Sequence, residues 1–336
     1  MNMAMWAKAV QVIPRVDKEE WQHLDVISRW LIATRSAVLV MTLMSALLVA
    51  LLALRDGKFA FGSWALVTIG LLFAHATNNL INDLTDHWKG VDRGNYFRAQ
   101  YGPQPLEHGL MTVREVMAYI AITGAVALTA GLVLVAHRGA PVLGLLLAGA
   151  FFVLFYTWPL KFIGLGEPAV TAVWGPLMVG GGYYVVTGEI SPAVLWASLP
   201  LALAATTVLF GKHIDKLEAD RAKGIRTLPV ILGEKRARYV AIALFSAAYA
   251  IVVGLVGSGM FAWPLLVVAG ALPWCRLAVR VYLHARPAAP PPEYPPNVWP
   301  LWYSAFAFRH TRRFGALFLV GIVAEMLWRA VTGIGM

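Results

Sequence analysis

Cysteine occurs once in 336 residues, at Cys275 inside an apolar run, so neither an intrachain disulfide nor a cysteine metal cluster can form. Charge is scarce too: Asp, Glu, Lys and Arg make up 14% of the chain, and only 18 residues are acidic. Together with 59% hydrophobic residues and a mean hydropathy of +0.66, this scarcity excludes an ordinary soluble domain and places the chain in a membrane.

Long apolar runs are what the chain has in their place. A helix needs roughly 20 residues to cross about 30 Å of hydrocarbon. Nine runs qualify, at 31–54, 63–82, 115–136, 140–158, 168–187, 192–211, 238–257, 260–283 and 314–332. They predict an all-α polytopic membrane protein with about nine transmembrane helices. The first run is too long for a signal-peptide core and has no small-residue cleavage site after it, so it is expected to be retained.

Charge orients the predicted helices. With the N-terminus cytoplasmic, 24 of the 28 Lys and Arg fall on the cytoplasmic side, leaving Arg55, Lys58, Arg138 and Arg329 opposite. The net charge of +10 is thereby assigned to topology and anionic lipid headgroups, and no nucleic-acid partner is expected. The connections "HRGA", "GEIS" and "GSGM" lie on the sparse side, whereas the long polar ones, 83–114, 212–237 and 284–313, lie on the basic side. Long loops usually carry function, so function is expected at the cytoplasmic face of an integral multi-pass protein of the cell membrane. Residues 1–30 are read as a cytoplasmic segment, and 31–336 as a single transmembrane domain. Within the segment, Trp21, Leu24, Ile27 or Ser28, and Leu31 recur at helical spacing, which predicts a helix lying in the membrane interface. The stretch "RPAAPPPEYPPNVWP" is too proline-rich for helix and reads as an extended linker.

Two of the long loops hold acidic clusters. In "NNLINDLTDHWKGVD", read as a helix, Asn79, Asn82 or Asp83, and Asp86 line one face, and Asp92 follows Gly90, where the helix is expected to end. In "GKHIDKLEADRAKGIRTLPVILG", Asp215, Glu218 and Asp220 stand among Lys212, Lys216, Arg221, Lys223 and Arg226. Both clusters follow an even-numbered span, so they are expected to face each other across a central cavity open to the cytoplasm. Many hard oxygen donors without cysteine favour Mg²⁺, which typically binds one or two carboxylates plus substrate phosphates. Carboxylates, Mg²⁺ and flanking bases together form a candidate diphosphate clamp.

This pattern resembles the UbiA superfamily of intramembrane prenyltransferases over essentially the whole chain. The family's N-D-x-x-D motif with a further Asp matches Asn82, Asp83, Asp86 and Asp92. The six-residue step to Asp92, and "GLGE" after "YTWPLKFI", resemble the MenA branch, which prenylates 1,4-dihydroxy-2-naphthoate. The resemblance implies Mg²⁺ held by Asn82, Asp83, Asp86, Asp215, Glu218 and Asp220, with Asp83, Asp86, Asp215 and Asp220 catalytic. It further implies that Asn79, Tyr156, Lys161, Arg221, Lys223 and Arg226 contact the diphosphate of a polyprenyl donor. Asp92, Arg98, Tyr101 and His108 would border an aromatic acceptor or form a lid.

Departures from the family concentrate in the second cluster. Asp220 matches the family's final Asp, but the partner position four residues earlier is Lys216, and Asp215 is its acidic neighbour. On a regular helix Asp215 and Asp220 differ by about 140°, against about 40° for an i, i+4 pair. Either the helix is distorted there or Glu218 shares the metal. Where MenA-like sequences carry paired asparagines, this chain has Lys212 and His213.

The implied reaction is ionisation of an allylic diphosphate and attack on the cation by an electron-rich ring, as in quinone or related lipid biosynthesis. Aromatic faces suited to the cation would come from Phe151, Phe152, Phe155, Trp158, Trp174, Tyr183 and Tyr184. One rival is transfer to a glycerol- or sugar-phosphate acceptor, or cyclisation of the donor. A rival of another class is a cation-coupled transporter, but transporters usually place their acids near the bilayer midplane on broken helices.

Overall fold

The structure, a computed structural model, describes residues 2–94, 97–100, 102–296 and 298–333, and among them the chain is helical with no strand. Three short helices come first: α1 (Met3–Gln11), α2 (Lys18–His23) and α3 (Val26–Ala33). The next four are α4 (Ser36–Arg55), α5 (Phe61–Trp88), α6 (Val113–Arg138) and α7 (Ala140–Phe155). α8 (Gly166–Ala172), a π-helical stretch (Val173–Gly180) and α9 (Gly181–Thr187) form one continuous span. α10 (Pro192–Asp215) leads into α11 (Leu217–Ala222), α12 (Leu228–Leu232) and α13 (Glu234–Gly257). A 3₁₀ stretch (Trp263–Ala271) continues as α14 (Leu272–Leu283), and α15 (Tyr303–Thr332) ends the order.

Among the described residues, eight of these helical units are long and apolar enough to cross a membrane. The remaining predicted run, the fourth (140–158), forms α7, whose 16 residues span only about 24 Å. α7 stops at Phe155 because Pro159 lacks the amide a continuing helix needs. The fifth span widens into its π stretch around Pro176, for the same reason.

Burial separates central helices from lipid-facing ones. The apolar windows of α4 and α10 are each 61% buried inside the protein, whereas that of α6 is only 17% buried and presents Ile122, Leu128 and Leu132 outward. Such apolar outer faces are satisfied by lipid and would be unfavourable in water.

The N-terminal segment departs from the expected interfacial helix. The chain breaks at Leu24 and Asp25, where the Asp25 carboxylate accepts from Ser28 N at 3.0 Å and caps α3. Trp21 and Leu24 turn inward and pack with Met5, Ala9, Leu80, Leu84 and Met111, while Val26 and Ile27 are exposed. Trp21 and Leu24 thus find their partners in α1, the end of α5 and the loop before α6.

One glycine sets the crossing of α10 and α15. A Cβ at Gly211 would lie 2.5 Å from the Tyr282 hydroxyl and 2.6 Å from Ser304 N, so only glycine admits this approach. Gly211→Ala is expected to lower stability by about 2 kcal/mol, as overpacking does, seen as a lower melting temperature in detergent. An unchanged melting temperature would contradict this packing.

Candidate active site

α5 runs unbroken from Phe61 to Trp88, so Asn79, Asn82, Asp83 and Asp86 share one helical face as their spacing requires. It ends at Lys89 and Gly90, and the positive φ of Gly90, +66°, turns the chain back toward Asp92. Asn79, Asn82 and Asp86 line the polar end of a cavity of about 1750 Å³, whose deeper walls are apolar residues of α4 to α10, while Asp83 is buried beside them and does not line it.

The α5 carboxylates are buried against bases. Asp83 accepts from the guanidinium groups of both Arg35 and Arg98 through Oδ1, and its buried Oδ2 has no hydrogen-bond partner among the described residues. Lys161 Nζ donates to both oxygens of Asp86, at 2.7 and 2.9 Å. Asn82 accepts from Arg35 at 3.3 Å and donates to Thr157 Oγ1 at 3.1 Å. Asn79 faces backbone, donating to Thr34 O at 2.8 Å, which docks the α3–α4 turn on α5. In that turn Arg35 has φ +57°, the one described non-glycine residue with a positive φ. This left-handed conformation costs about 1 kcal/mol and directs the Arg35 side chain onto α5.

Of the second cluster, Lys212, His213 and Lys216 line the same cavity, whereas Asp215, Glu218 and Asp220 do not. α10 ends at Asp215 and α11 restarts at Leu217, so Asp215 and Asp220 sit on separate helices. Asp220 is fully buried and bonded by Lys216 Nζ at 3.0 Å. Lys161 is within electrostatic reach of both Asp86 and Asp220. Lys223 Nζ clips the loops together by donating to Gly90 O at 3.2 Å and Arg93 O at 2.7 Å. Beside it, Ile225 packs on Val91 and Phe97.

Several expected ligands have other work. The Asp215 carboxylate accepts from the backbone N–H groups of Trp302, Tyr303 and Ser304 and from the Ser304 hydroxyl, at 2.8 to 3.0 Å. It caps the N-terminus of α15, which is a structural task away from the cavity lining. Glu218 is 79% exposed and pairs with the half-exposed Arg221 at 2.8 Å on the surface, which removes both from the cavity. Arg226 is also exposed and outside the cavity lining, as is Lys223. His108 is exposed and accepts from Gln104 N at 3.3 Å, holding the loop's own backbone. Tyr101 lies outside the described residues. Of the expected aromatic faces, Phe152 and Trp174 line the cavity; Phe151, Phe155 and Trp158 are exposed away from it. Tyr183 is buried and donates to Asp56 at 2.6 Å at the far end of the fold, and Tyr184 packs beside Val67 and Val142.

Other contributors went unrecognised in the sequence. Arg35 was readable only as a topology charge, and Thr157 carried no signal. Lys212, Lys216 and His213 line the cavity along with Tyr156 and Lys161. His213 Nδ1 lies 2.6 Å from Glu167 Oε1, both side chains being buried. Arg98, from the loop after α5, lines the cavity and donates to Pro103 O at 3.1 Å as well as to Asp83.

Burial governs the ionisation of the loop groups. It pulls Lys161 below the usual lysine range, although Asp86 favours the charged form. It also raises the Tyr156 phenol, helped by the Glu167 charge, so this hydroxyl stays a donor. Asp92 is buried and pushed up to about 6, first by desolvation and then by the Asp86 charge, with Arg35 and Lys161 opposing. Because this pKa lies above the unfolded value of 3.8, the folded state binds the proton more tightly. Stability from this group is full below about pH 4 and falls as pH rises to about 6, by about 3 kcal/mol. Asp92→Asn is therefore expected to raise the melting temperature at pH 7 and to flatten its change across that window. Thermal melts at pH 5 and 7.5 check both.

Asp83, Asp86 and Asn82 offer hard oxygens on one face, including the orphaned Asp83 Oδ2, and this suits Mg²⁺. No group of three His, Cys, Asp or Glu among the described residues is arranged to hold a metal unaided. An ion here would be completed by substrate oxygens, which Mg²⁺ commonly accepts. The second cluster fits less well, because it contributes one carboxylate, Asp220, beside the ammonium of Lys216.

Comparison with known proteins agrees with this geometry. The 1,4-dihydroxy-2-naphthoate octaprenyltransferase of Escherichia coli (strain K12) is 31% identical over 229 residues, 65% of this chain and 72% of that protein. The digeranylgeranylglyceryl phosphate synthase of Natronomonas pharaonis is 29% identical over 215 residues, 61% of this chain and 70% of that protein. A solved UbiA homolog from Archaeoglobus fulgidus bound to GPP and Mg²⁺ has the same fold, with a TM-score of 0.55 at 19% identity over 88% of this chain and 99% of its own. The model of the UbiA prenyltransferase family matches residues 42–294, a stretch that contains both aspartate clusters and most of the cavity wall, and the chain therefore belongs to that family.

Proposed function

We propose that this protein transfers the polyprenyl group of an allylic diphosphate to a small aromatic acceptor, with the N-terminus and site loops on the cytoplasmic side of a cell membrane. The observation that carries this reading is the single polar end of a large apolar cavity, where buried carboxylates of α5 face Arg35, Arg98, Lys161, Lys212 and Lys216. An isoprenoid chain suits the apolar walls, and a diphosphate suits the basic end.

Asp83, Asp86 and Asn82 would hold Mg²⁺, with Asp220 as a further ligand. When bound, Mg²⁺ draws negative charge from the diphosphate and makes it a better leaving group. Lys161, Lys212, Lys216 and the Tyr156 hydroxyl bind the remaining oxygens as the C–O bond breaks. Arg35 and Arg98 orient Asp83 and exchange part of their bonding to the incoming diphosphate. Trp174 and Phe152 offer ring faces to the allylic cation, and the apolar wall excludes water from it. Residues 31–336 act as one domain in this scheme, closed at the polar end by the loop that carries Arg98.

A second reading is a glycerol-phosphate acceptor. It is favoured by the likeness to digeranylgeranylglyceryl phosphate synthase and by Lys212 and Lys216, which add positive charge for a phosphorylated acceptor. Purified protein with Mg²⁺ and labelled geranylgeranyl diphosphate, given 1,4-dihydroxy-2-naphthoate or a glycerol phosphate, separates the two. Lipid product from the first, abolished by EDTA, is expected. Product from the second alone would replace the acceptor assignment, and metal-independent movement of substrate without product would defeat the enzyme.

A further inference from the structure

Glu167 and His213 form a buried pair that binding of the diphosphate leaves unused. Glu167 enters from the first turn of α8 and His213 from the last turn of α10. Glu167 Oε1 and His213 Nδ1 are 2.6 Å apart, and the side chains are 1% and 2% exposed. Glu167 Oε2 has no partner among the described residues. His213 nevertheless borders the cavity, at the same polar end as Tyr156, Lys161 and Lys212.

A purely structural role explains this pair poorly. α8 and α10 are already joined by the Thr171 and Thr206 hydroxyls at 2.8 Å. Burying a carboxylate with one oxygen unsatisfied costs more than an apolar contact of the same size. A carboxylate on Nδ1 holds the imidazole in one orientation and places its proton on Nδ1. The other nitrogen, Nε2, is then a proton acceptor.

We propose that His213, positioned by Glu167, is the base that takes the hydroxyl proton of the acceptor. This rests on the transfer reading above, and the hydroxyl is the feature that an aromatic and a glycerol-phosphate acceptor share. The acceptor O–H bond breaks and its proton goes to Nε2, giving an imidazolium paired with the Glu167 carboxylate. The freed electron pair bonds to the donor's C1 directly from oxygen; or, for attack by carbon, it becomes a C=O bond while a ring π pair forms the C–C bond, after which that ring carbon loses its proton, or its carboxyl group as CO₂, and the aromatic ring and the phenolate are restored. The C1–O bond of the donor breaks with its pair on the diphosphate, and His213 later returns the proton to solvent. His213 is thus a catalytic residue, and Glu167 a positioning residue.

The test compares wild type with His213→Gln, His213→Ala and Glu167→Gln, using geranylgeranyl diphosphate and 1,4-dihydroxy-2-naphthoate. Turnover of both His213 variants is expected to fall about 10²- to 10⁴-fold, the usual contribution of a general base. KM for the donor should stay within about threefold, a split that loss of packing would not produce. Glu167→Gln should lower kcat in the same direction, and added imidazole should restore part of the His213→Ala activity. If His213→Ala fails to fold, His213→Gln, which keeps a hydrogen bond to Glu167, decides the matter. His213→Gln with kcat within about threefold of wild type overturns the proposal, as does a loss confined to donor KM. No product from wild type would defeat the transfer reading and this inference with it.

Discussion

Asp86→Asn is expected to abolish measurable prenyl transfer, lowering kcat by about 10³-fold or more, while leaving the protein folded. The substitution keeps the size of the side chain and a partner for Lys161 Nζ, which now bonds both Asp86 oxygens. It removes a charge that the proposed divalent cation would need, on the face where Asn82 and Asp83 would supply the other oxygens. Affinity for free diphosphate without metal should persist or rise, since Lys161 is released from its carboxylate and the other bases are untouched. That combination, turnover lost and diphosphate binding retained, distinguishes a metal ligand from a structural acid. Asp83→Ala should lose turnover too, but with a stability cost of about 3 kcal/mol, because Arg35 and Arg98 would stay buried without their shared carboxylate. Melting temperature, single-turnover rate and calorimetric titration with inorganic diphosphate check these outcomes.

Asp215→Ala is expected to do the reverse. Four donors at the start of α15 converge on this carboxylate, three of them backbone N–H groups that lose their only side-chain cap. Arg286 adds to the joint by donating to Asp215 O at 2.8 Å. Removing the carboxylate should cost about 3 to 4 kcal/mol, combining a lost cap with buried donors left unpaired. The protein that remains folded should keep a near-normal Mg²⁺ dependence and turnover per folded molecule. An unchanged melting temperature with collapsed activity would return Asp215 to the metal site.

The contrast between these aspartates shows what the sequence could convey. Apolar runs of sufficient length announced the membrane helices, and the spacing of Asn79, Asn82, Asp83 and Asp86 announced their shared face, because both depend on local periodicity alone. Asp215 is different: its role is set by backbone 87 to 89 residues later, and nothing near it in sequence signals that a helix begins there. Glu218 was a candidate to share the metal with Asp220, but the two stand two residues apart on α11, about 200° around the helix, so one faces the surface and the other is buried. Arg35 was hidden for another reason. A lone arginine before an apolar run looks like a topology signal, and only the left-handed turn at φ +57° brings it onto Asp83. The aromatics failed similarly, since a membrane helix offers no polar face from which to infer which rings turn inward toward the cavity.

Binding of a non-ionisable donor, geranylgeranyl thiodiphosphate, by wild type and Asp86→Asn with and without Mg²⁺ tests the central claim most directly. Tight, Mg²⁺-enhanced binding by wild type, with the enhancement lost in the variant and in EDTA, is the predicted result. Equal binding by both proteins, indifferent to Mg²⁺, would contradict a donor diphosphate held through the carboxylates of α5.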